Sequence, residues 1–284
     1  MRANLTVIIL TYNEEKNIGQ VLDSVCNWTK QIFIVDSFST DRTLEIAKKY
    51  DCIIVQHQFE DYARQRNFAL DLQITTEWVL FVDSDEWLPD DLKREISMVI
   101  ASNPEENGFY LKWRLMWMGK WIRRGYYPTW ILRLFRYGKA RCEDRGINEH
   151  LLVEGKIGYL KSDFIHEDQK GIEDWIIKHN RYAAREASEL FKEGVEAGQI
   201  DISIWGTQAQ KKRWLRYRIW NHLPPLIRPF FYFFYRYILR GGFLDGRAGF
   251  IYHFLQGLWF PLLIDVMYLE MKMKRQQALD KGIV

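Results

Sequence analysis

The sequence predicts an α/β fold: a mostly parallel sheet flanked by helices, followed by a C-terminal amphipathic helical region. Two patterns predict it. Short continuous apolar runs, of the kind that form buried strands, alternate with stretches whose apolar residues recur at helical spacing. Each of the leading strand runs also ends in a polar cluster, and the carboxyl edge of such a sheet is where ligands bind.

Leu5 to Leu10 (LTVIIL) is the first strand. Thr11, Tyr12, Asn13, Glu14 and Glu15 turn the chain into a helix, with Asn13 as its expected cap. Ile18, Val21, Leu22 and Val25 form the apolar face of that helix. Gln31 to Val35 is the second strand and delivers Asp36, then Ser37, Ser39, Thr40 and Asp41 lead into a helix over Arg42 to Tyr50. Cys52 to Val55 is a third strand, and Tyr62 to Leu72 is helical, with Arg64 and Arg66 near its start. Trp78 to Val82 is the fourth strand, running straight into Asp83, Ser84, Asp85 and Glu86.

That acidic stretch organises the rest. Three carboxylates at the end of a buried strand are costly to desolvate unless something cationic sits beside them. Mg²⁺ or Mn²⁺ prefers oxygen ligands and commonly bridges to phosphate oxygens, so the stretch reads as a metal and diphosphate site. The competing reading is an acidic helix N-terminus favoured by the helix dipole. No G-x-G-x-x-G follows the first strand and no P-loop is present, which disfavours dinucleotide and ATP cradles.

The 284 residues suit one large α/β domain plus an appendage, taking about 150 residues per domain. The net charge of +3 singles out no partner, and Cys26, Cys52 and Cys142 have neither disulfide nor zinc spacing. No signal peptide is expected, because the first apolar run is short and contains Thr6. No uninterrupted apolar segment reaches about 18 residues, so no membrane-spanning helix is expected.

The stretches VIILTYNEEKNI, IVDSFSTDRTLEIA, QRNFAL and VLFVDSDEWL together resemble the motif series of family 2 glycosyltransferases, in order and spacing. The resemblance implies the GT-A fold, with its Rossmann-like sheet. It implies that Thr11, Tyr12, Asn13 and Glu14 surround a nucleotide, that Asp36 accepts from the base edge, and that Arg66 helps hold the nucleotide. Asp83, Ser84 and Asp85 match the family's D-x-D motif, with Asp83 and Ser84 on the nucleotide side and Asp85 the direct ligand of Mg²⁺ or Mn²⁺.

Beyond Pro89 to Ile100, read as a helix, Gly108 to Trp113 and Trp130 to Phe135 read as strands. The intervening Lys112 to Trp130 mixes cations with Trp113, Trp117 and Trp121, which suits an acceptor-binding loop or a membrane-facing lip. Arg133 or Arg136 is a further candidate for contact with acceptor or diphosphate. Glu149 falls on the glutamate of the acidic segment that the family carries here and is the expected catalytic base, with Asp144 as runner-up. His166 matches the late histidine that completes the metal site in the family. Ile172 to Lys192 reads as an amphipathic helix.

From Ile202 to Leu244 there is no Asp or Glu among eight Lys or Arg and many aromatics, the composition of a bilayer interface. A last helix over Phe250 to Lys274, interrupted by Pro261 and Asp265, is expected to lie on a membrane. RYILRGGFLDGRAGF in particular resembles lipopolysaccharide core glucosyltransferases and related envelope enzymes. That implies an inverting hexosyltransferase using a nucleotide sugar, UDP-glucose foremost. Its acceptor would be a lipid-linked saccharide, at the anionic cytoplasmic face of the inner membrane. The expected division is 1–200 for the transferase domain (1–103 nucleotide half, 104–200 acceptor half) and 201–284 for the membrane-associating region. Two other readings stay open: transfer to a polyprenyl phosphate or its glycan, and a non-catalytic membrane-bound nucleotide-binding scaffold. Nucleic acid is not an expected partner, since the basic balance is small.

Overall fold

The structure is a computed structural model that describes residues 2–143, 150–191 and 205–281. The chain forms two compact units, one of Met1–Met116 with Tyr127–Lys170 and one of Trp117–Tyr126 with Gly171–Val284.

The first unit begins as strand β1 (Ala3–Thr11), helix α1 (Ile18–Val25), β2 (Thr29–Asp36), α2 (Thr43–Ala47), β3 (Ile53–Gln56), α3 (Tyr62–Leu70) and β4 (Trp78–Asp83). It continues through β5 (Glu86–Trp87), α4 (Asp90–Ala101), β6 (Gly108–Trp117), β8 (Thr129–Arg136), β9 (Ala140–Cys142), β10 (Leu151–Val153) and β11 (Ile157–His166). The short β7 (Lys120–Trp121) falls in the other unit. The sheet order is β3-β2-β1-β4-β8-β6-β11-β5, with β1 to β4 parallel to one another and β8 antiparallel to both its neighbours. This is the mixed α/β architecture the apolar runs predict, with β4 inserted beside β1 rather than beside β3.

Both faces of the sheet are buried, which is why β1 and β4 read as continuous apolar runs. On one face Val7, Ile9 and Leu80 pack with Ile18, Leu22, Leu92 and Ile96. On the other, Ile8, Val79 and Phe81 pack with Ala69, Leu70 and Phe135. Each fully buried side chain of this size contributes roughly 1.5–3 kcal/mol relative to exposure.

β11 was not expected as a strand, because Lys161, Ser162 and Asp163 break its apolar pattern. The register against β6 shifts between Tyr159 and Asp163. The Glu95 carboxylate on α4 accepts from the Lys161 and Ser162 backbone N–H groups at that irregularity, at 2.7 Å each. A side chain thus takes two donors at an interrupted ladder.

The second unit holds α5 (Ile172–Phe191), α6 (Gln208–Arg218), α7 (Arg228–Phe234), α8 (Gly246–Phe254) and α9 (Phe260–Asp280). A π-helical turn, Tyr235–Leu239, extends α7, and another, Leu255–Trp259, joins α8 to α9. Pro261 sits in the first turn of α9, where a proline costs no hydrogen bond, and Asp265 is buried against Arg228; neither interrupts the helix, contrary to expectation. The helical run Gly242–Asp280 (39 residues) is long and apolar enough to cross a membrane by length and composition. The uninterrupted-run criterion applied to the sequence stops at single polar residues that a long helix tolerates, so it does not register this run.

Gly125 has a left-handed backbone (φ 70), and a Cβ there would lie 2.6 Å from the Arg236 carbonyl oxygen and 2.6 Å from the His253 ring. Gly125→Ala should therefore destabilise the second unit by about 1–3 kcal/mol, through overpacking against groups with no free space. A drop in the denaturation midpoint tests this; an unchanged midpoint would refute the close approach.

Candidate active site

The parallel strands align the predicted clusters at one edge. Thr11 is in register with Asp36, Leu10 with Asp83, and Asp36 with Gln56. Asp36 is completely buried and its carboxylate accepts four bonds: from Thr11 Oγ1 (3.1 Å), Ser39 Oγ (2.5 Å), Ser39 N (2.9 Å) and Gln56 Nε2 (3.2 Å). Those bonds supply the compensation that a buried carboxylate requires.

Asn13 does not cap α1, whose N-cap is Asn17. It has a left-handed backbone (φ 53), a conformation Asn tolerates. Its N–H donates to Ser39 Oγ at 2.9 Å, and its side-chain oxygen accepts from Thr40 N at 2.8 Å. The loops after β1 and β2 are thereby tied to each other. Tyr12 is half exposed beside them.

Glu14 is buried and joins the start of the chain to the segment after β11. Its carboxylate accepts from Asn17 Nδ2 (2.8 Å) and Lys170 Nζ (2.6 Å). Burial raises its pKa, and Lys170 offsets only part of that. Asn17 Nδ2 also donates to Asp168 Oδ1 at 2.9 Å, and Asn17 Oδ1 accepts from Gln169 N at 2.8 Å.

The acidic stretch divides in two. Asp83 and Glu86 belong to Arg133, which rises from β8 almost fully buried. Arg133 Nη1 bonds Asp83 Oδ1 (3.2 Å), and its Nη2 bonds Asp83 Oδ2 (2.5 Å) and Glu86 Oε1 (2.9 Å). Arg66 Nη2 adds a contact to Asp83 Oδ1 at 3.3 Å. Glu86 Oε2 accepts from the Asp83 backbone N–H at 2.8 Å. Burial acts to raise the Asp83 pKa, but Arg133 and then Arg66 outweigh it and hold the carboxyl at about 2. Glu86 lies deeper, and burial pushes it up to about 7 against the pull of Arg133. The cation demanded by the acidic cluster is therefore partly built in, as arginine.

Asp85 stands outside the Arg133 hydrogen bonds. It is buried, and its Oδ1 lies 3.4 Å from His166 Nδ1. β5 and β11 set that meeting, since Glu86 and His166 are register partners. The His166 ring packs on Trp113 with centroids 4.7 Å apart, which fixes its plane. Among the described residues no three His, Cys, Asp or Glu side chains converge as a metal group. One carboxylate oxygen and one imidazole nitrogen do fit a Mg²⁺ or Mn²⁺ that takes its remaining ligands from diphosphate and water. Ser84 is buried between the two aspartates in sequence.

Asp144 and Glu149 lie outside the described residues. Next to that segment, buried Glu143 accepts from the His150 backbone N–H at 3.2 Å. Arg136 is remote from the acidic stretch. It pairs with Glu77 and covers Trp78 at 4.6 Å, at the amino end of β4. Asn17 and Lys170 were not anticipated, nor was the pairing of Glu86 with Arg133. One signal bearing on Glu86 was legible: a lone arginine in the apolar run Trp130 to Phe135 implies buried carboxylate partners.

The family model for glycosyl transferase family 2 matches residues 6–162. An uncharacterized glycosyltransferase of Rickettsia typhi is 27% identical over 216 residues, covering 71% of this chain and 74% of its own. One from Rickettsia conorii is 29% identical over 216 residues, covering 71% and 76%. Among solved structures, glucosyl-3-phosphoglycerate synthase from Mycobacterium tuberculosis, in complex with Mn²⁺, UDP and glucosyl-3-phosphoglycerate, aligns with a TM-score of 0.34 at 20% identity. That alignment covers 40% of this chain, and the chain spans only 44% of that protein. The family match takes in β1 through most of β11, the acidic stretch included, and the chain belongs to glycosyl transferase family 2 as a glycosyltransferase.

Proposed function

We propose that this glycosyltransferase moves a hexose, glucose foremost, from a UDP-linked donor to a lipid-linked saccharide of the lipopolysaccharide core type. The transfer inverts the anomeric centre and takes place at the anionic cytoplasmic face of the inner membrane. The observation that carries the donor half is the convergence of Thr11, Asp36, Asp83 and the Asp85–His166 pair at one sheet edge.

Asp36 receives the base. Gln56 Nε2 is its longest bond, and an incoming uracil N3–H competes for that oxygen. Arg66 and Asp83 hold the nucleotide, with Arg133 fixing the Asp83 carboxylate. Asp85 and His166 hold a divalent ion, which when bound neutralises the charge that develops on the departing nucleotide diphosphate. Glu149 takes the proton from the acceptor hydroxyl on the face opposite the diphosphate.

A thermal shift series with UDP, GDP, CDP and dTDP, each with and without Mn²⁺, tests the donor site. UDP with Mn²⁺ is expected to stabilise the protein by about 2.7 kcal/mol at about 100 times its dissociation constant. The shift should need the metal. A shift with another nucleotide would replace the donor, and no shift with any would sink the donor site.

A further inference from the structure

The helix formed by α7 and its π-helical extension is inverted relative to a helix of a water-soluble protein. Its buried side carries Arg228 and Arg236, exposed by only 4% and 2%. Its outward side carries Phe230, Phe231, Phe234, Tyr235, Ile238 and Leu239, between 42% and 66% exposed. The spacing i, i+1, i+4, i+5, i+8, i+9 places all six on one face. Gly241, in a left-handed conformation (φ 72), then turns the chain, and Phe243 and Leu244 continue the apolar surface at 48% and 61% exposed.

The buried cations are held within the unit. Arg228 forms a forked pair with Asp265, its Nε 2.9 Å from Oδ1 and 3.1 Å from Oδ2. The Arg236 guanidinium lies over the rings of Tyr126, Tyr232 and Tyr252 at 4.8, 5.3 and 5.5 Å. These contacts lock the polar side inward and the phenylalanines outward. Water is a poor solvent for such a ridge, whereas hydrocarbon suits it.

Charge selects the occupant. From Ile202 to Leu244 the sequence has eight cations and no carboxylate, and Lys211, Arg218, Arg240 and Arg247 are exposed. An anionic lipid surface matches this combination of an exposed aromatic ridge and a basic segment free of carboxylates. We infer that the α7 ridge inserts into one leaflet of an anionic bilayer and that the chain is held there without α9 crossing. α9 packs along α5, with Trp175 6.2 Å from Trp259 and His179 5.2 Å from Phe260. α5 carries Glu173, Asp174, Lys178, Arg181, Arg185, Glu186 and Glu189, which a crossing α9 would bring into the hydrocarbon.

This deepens the membrane part of the function proposed above and rests on it. The test is flotation of the full chain with sealed phosphatidylglycerol/phosphatidylcholine vesicles and with phosphatidylcholine vesicles alone. Wild type should float with the anionic vesicles and be weakened by added salt. Phe231→Ser with Leu239→Ser should lower the bound fraction on the order of tenfold, while Phe231→Trp should retain it. Trypsin added outside the vesicles should still cut at Lys272, Lys274 and Arg275. Protection of those sites would overturn the non-crossing placement. Undiminished flotation of the double variant would overturn the ridge while leaving the membrane reading in place. Absent flotation, with a solution dimer that the same variant splits, would give the ridge to a second copy of the chain. The UDP–Mn²⁺ thermal shift on the same samples reports the donor site separately.

Discussion

Asp85→Ala is expected to lower glycosyl transfer by on the order of 10²–10³-fold or more, the scale seen when one electrostatic element of a preorganised site is removed. The fold should survive. The Asp85 backbone carbonyl, which accepts from Glu167 N at 2.9 Å, is untouched by the substitution. Nor does Asp85 share in the Arg133 hydrogen bonds that hold its neighbours Asp83 and Glu86. The discriminating measurement pairs turnover with the UDP thermal shift. Turnover and the Mn²⁺-dependent part of the shift should vanish together while the melting temperature without ligand stays within a few degrees. Undiminished transfer would remove Asp85 from the metal site and leave His166 without a reason to face it.

Arg133→Met should be the most destabilising single change in the first unit, costing about 3–5 kcal/mol, because it leaves the buried Glu86 carboxylate without its cation and Asp83 with Arg66 alone. The sign of its pH dependence is distinctive. In wild type, Asp83 titrates at about 2, below its unfolded value, so its contribution is present above about pH 4 and is lost as pH falls through 2. Glu86, raised to about 7 by burial, costs stability as pH rises toward that value, and without Arg133 to oppose burial it rises further, so the variant loses more over the same range. The stability gap between the two proteins should therefore widen from pH 4 to pH 7.5, as measured by denaturant unfolding at each pH. A constant gap would mean that Arg133 acts through packing alone. Arg133→Lys should recover only part of the loss, since an ammonium lacks the fork that spans Asp83 and Glu86.

The sequence made the donor half of the fold readable because burial on both faces writes strands as uninterrupted apolar runs. Leu5 to Leu10 and Trp78 to Val82 are such runs, and each hands its next residues to the site. Local pattern could not show that β4 inserts beside β1, yet that pairing brings Asp83 level with Leu10. β11 was illegible for a different reason. Its middle residues are polar because the ladder is irregular there and Glu95 takes up the donors. Asn13 looked like a cap by residue type, but its left-handed backbone serves a loop-to-loop tie. In the tail, sequence composition gave the basic and aromatic content but not its sidedness. Only the pairing of Arg228 with Asp265 and the tyrosines around Arg236 show which face is turned outward.

Asn17 holds together two pieces of chain separated by about 150 positions, since its amide engages Asp168 and Gln169 while Glu14 engages Lys170. For anyone exchanging parts between relatives, the loop after β1 and the loop after β11 are one module in two instalments. A chimera that imports the first alone would place a foreign amide opposite native partners, and the tie between the two loops would be lost. Recombination sites that respect this junction lie before β1 and beyond Lys170, so donor preference should transfer between family members only when both instalments travel together.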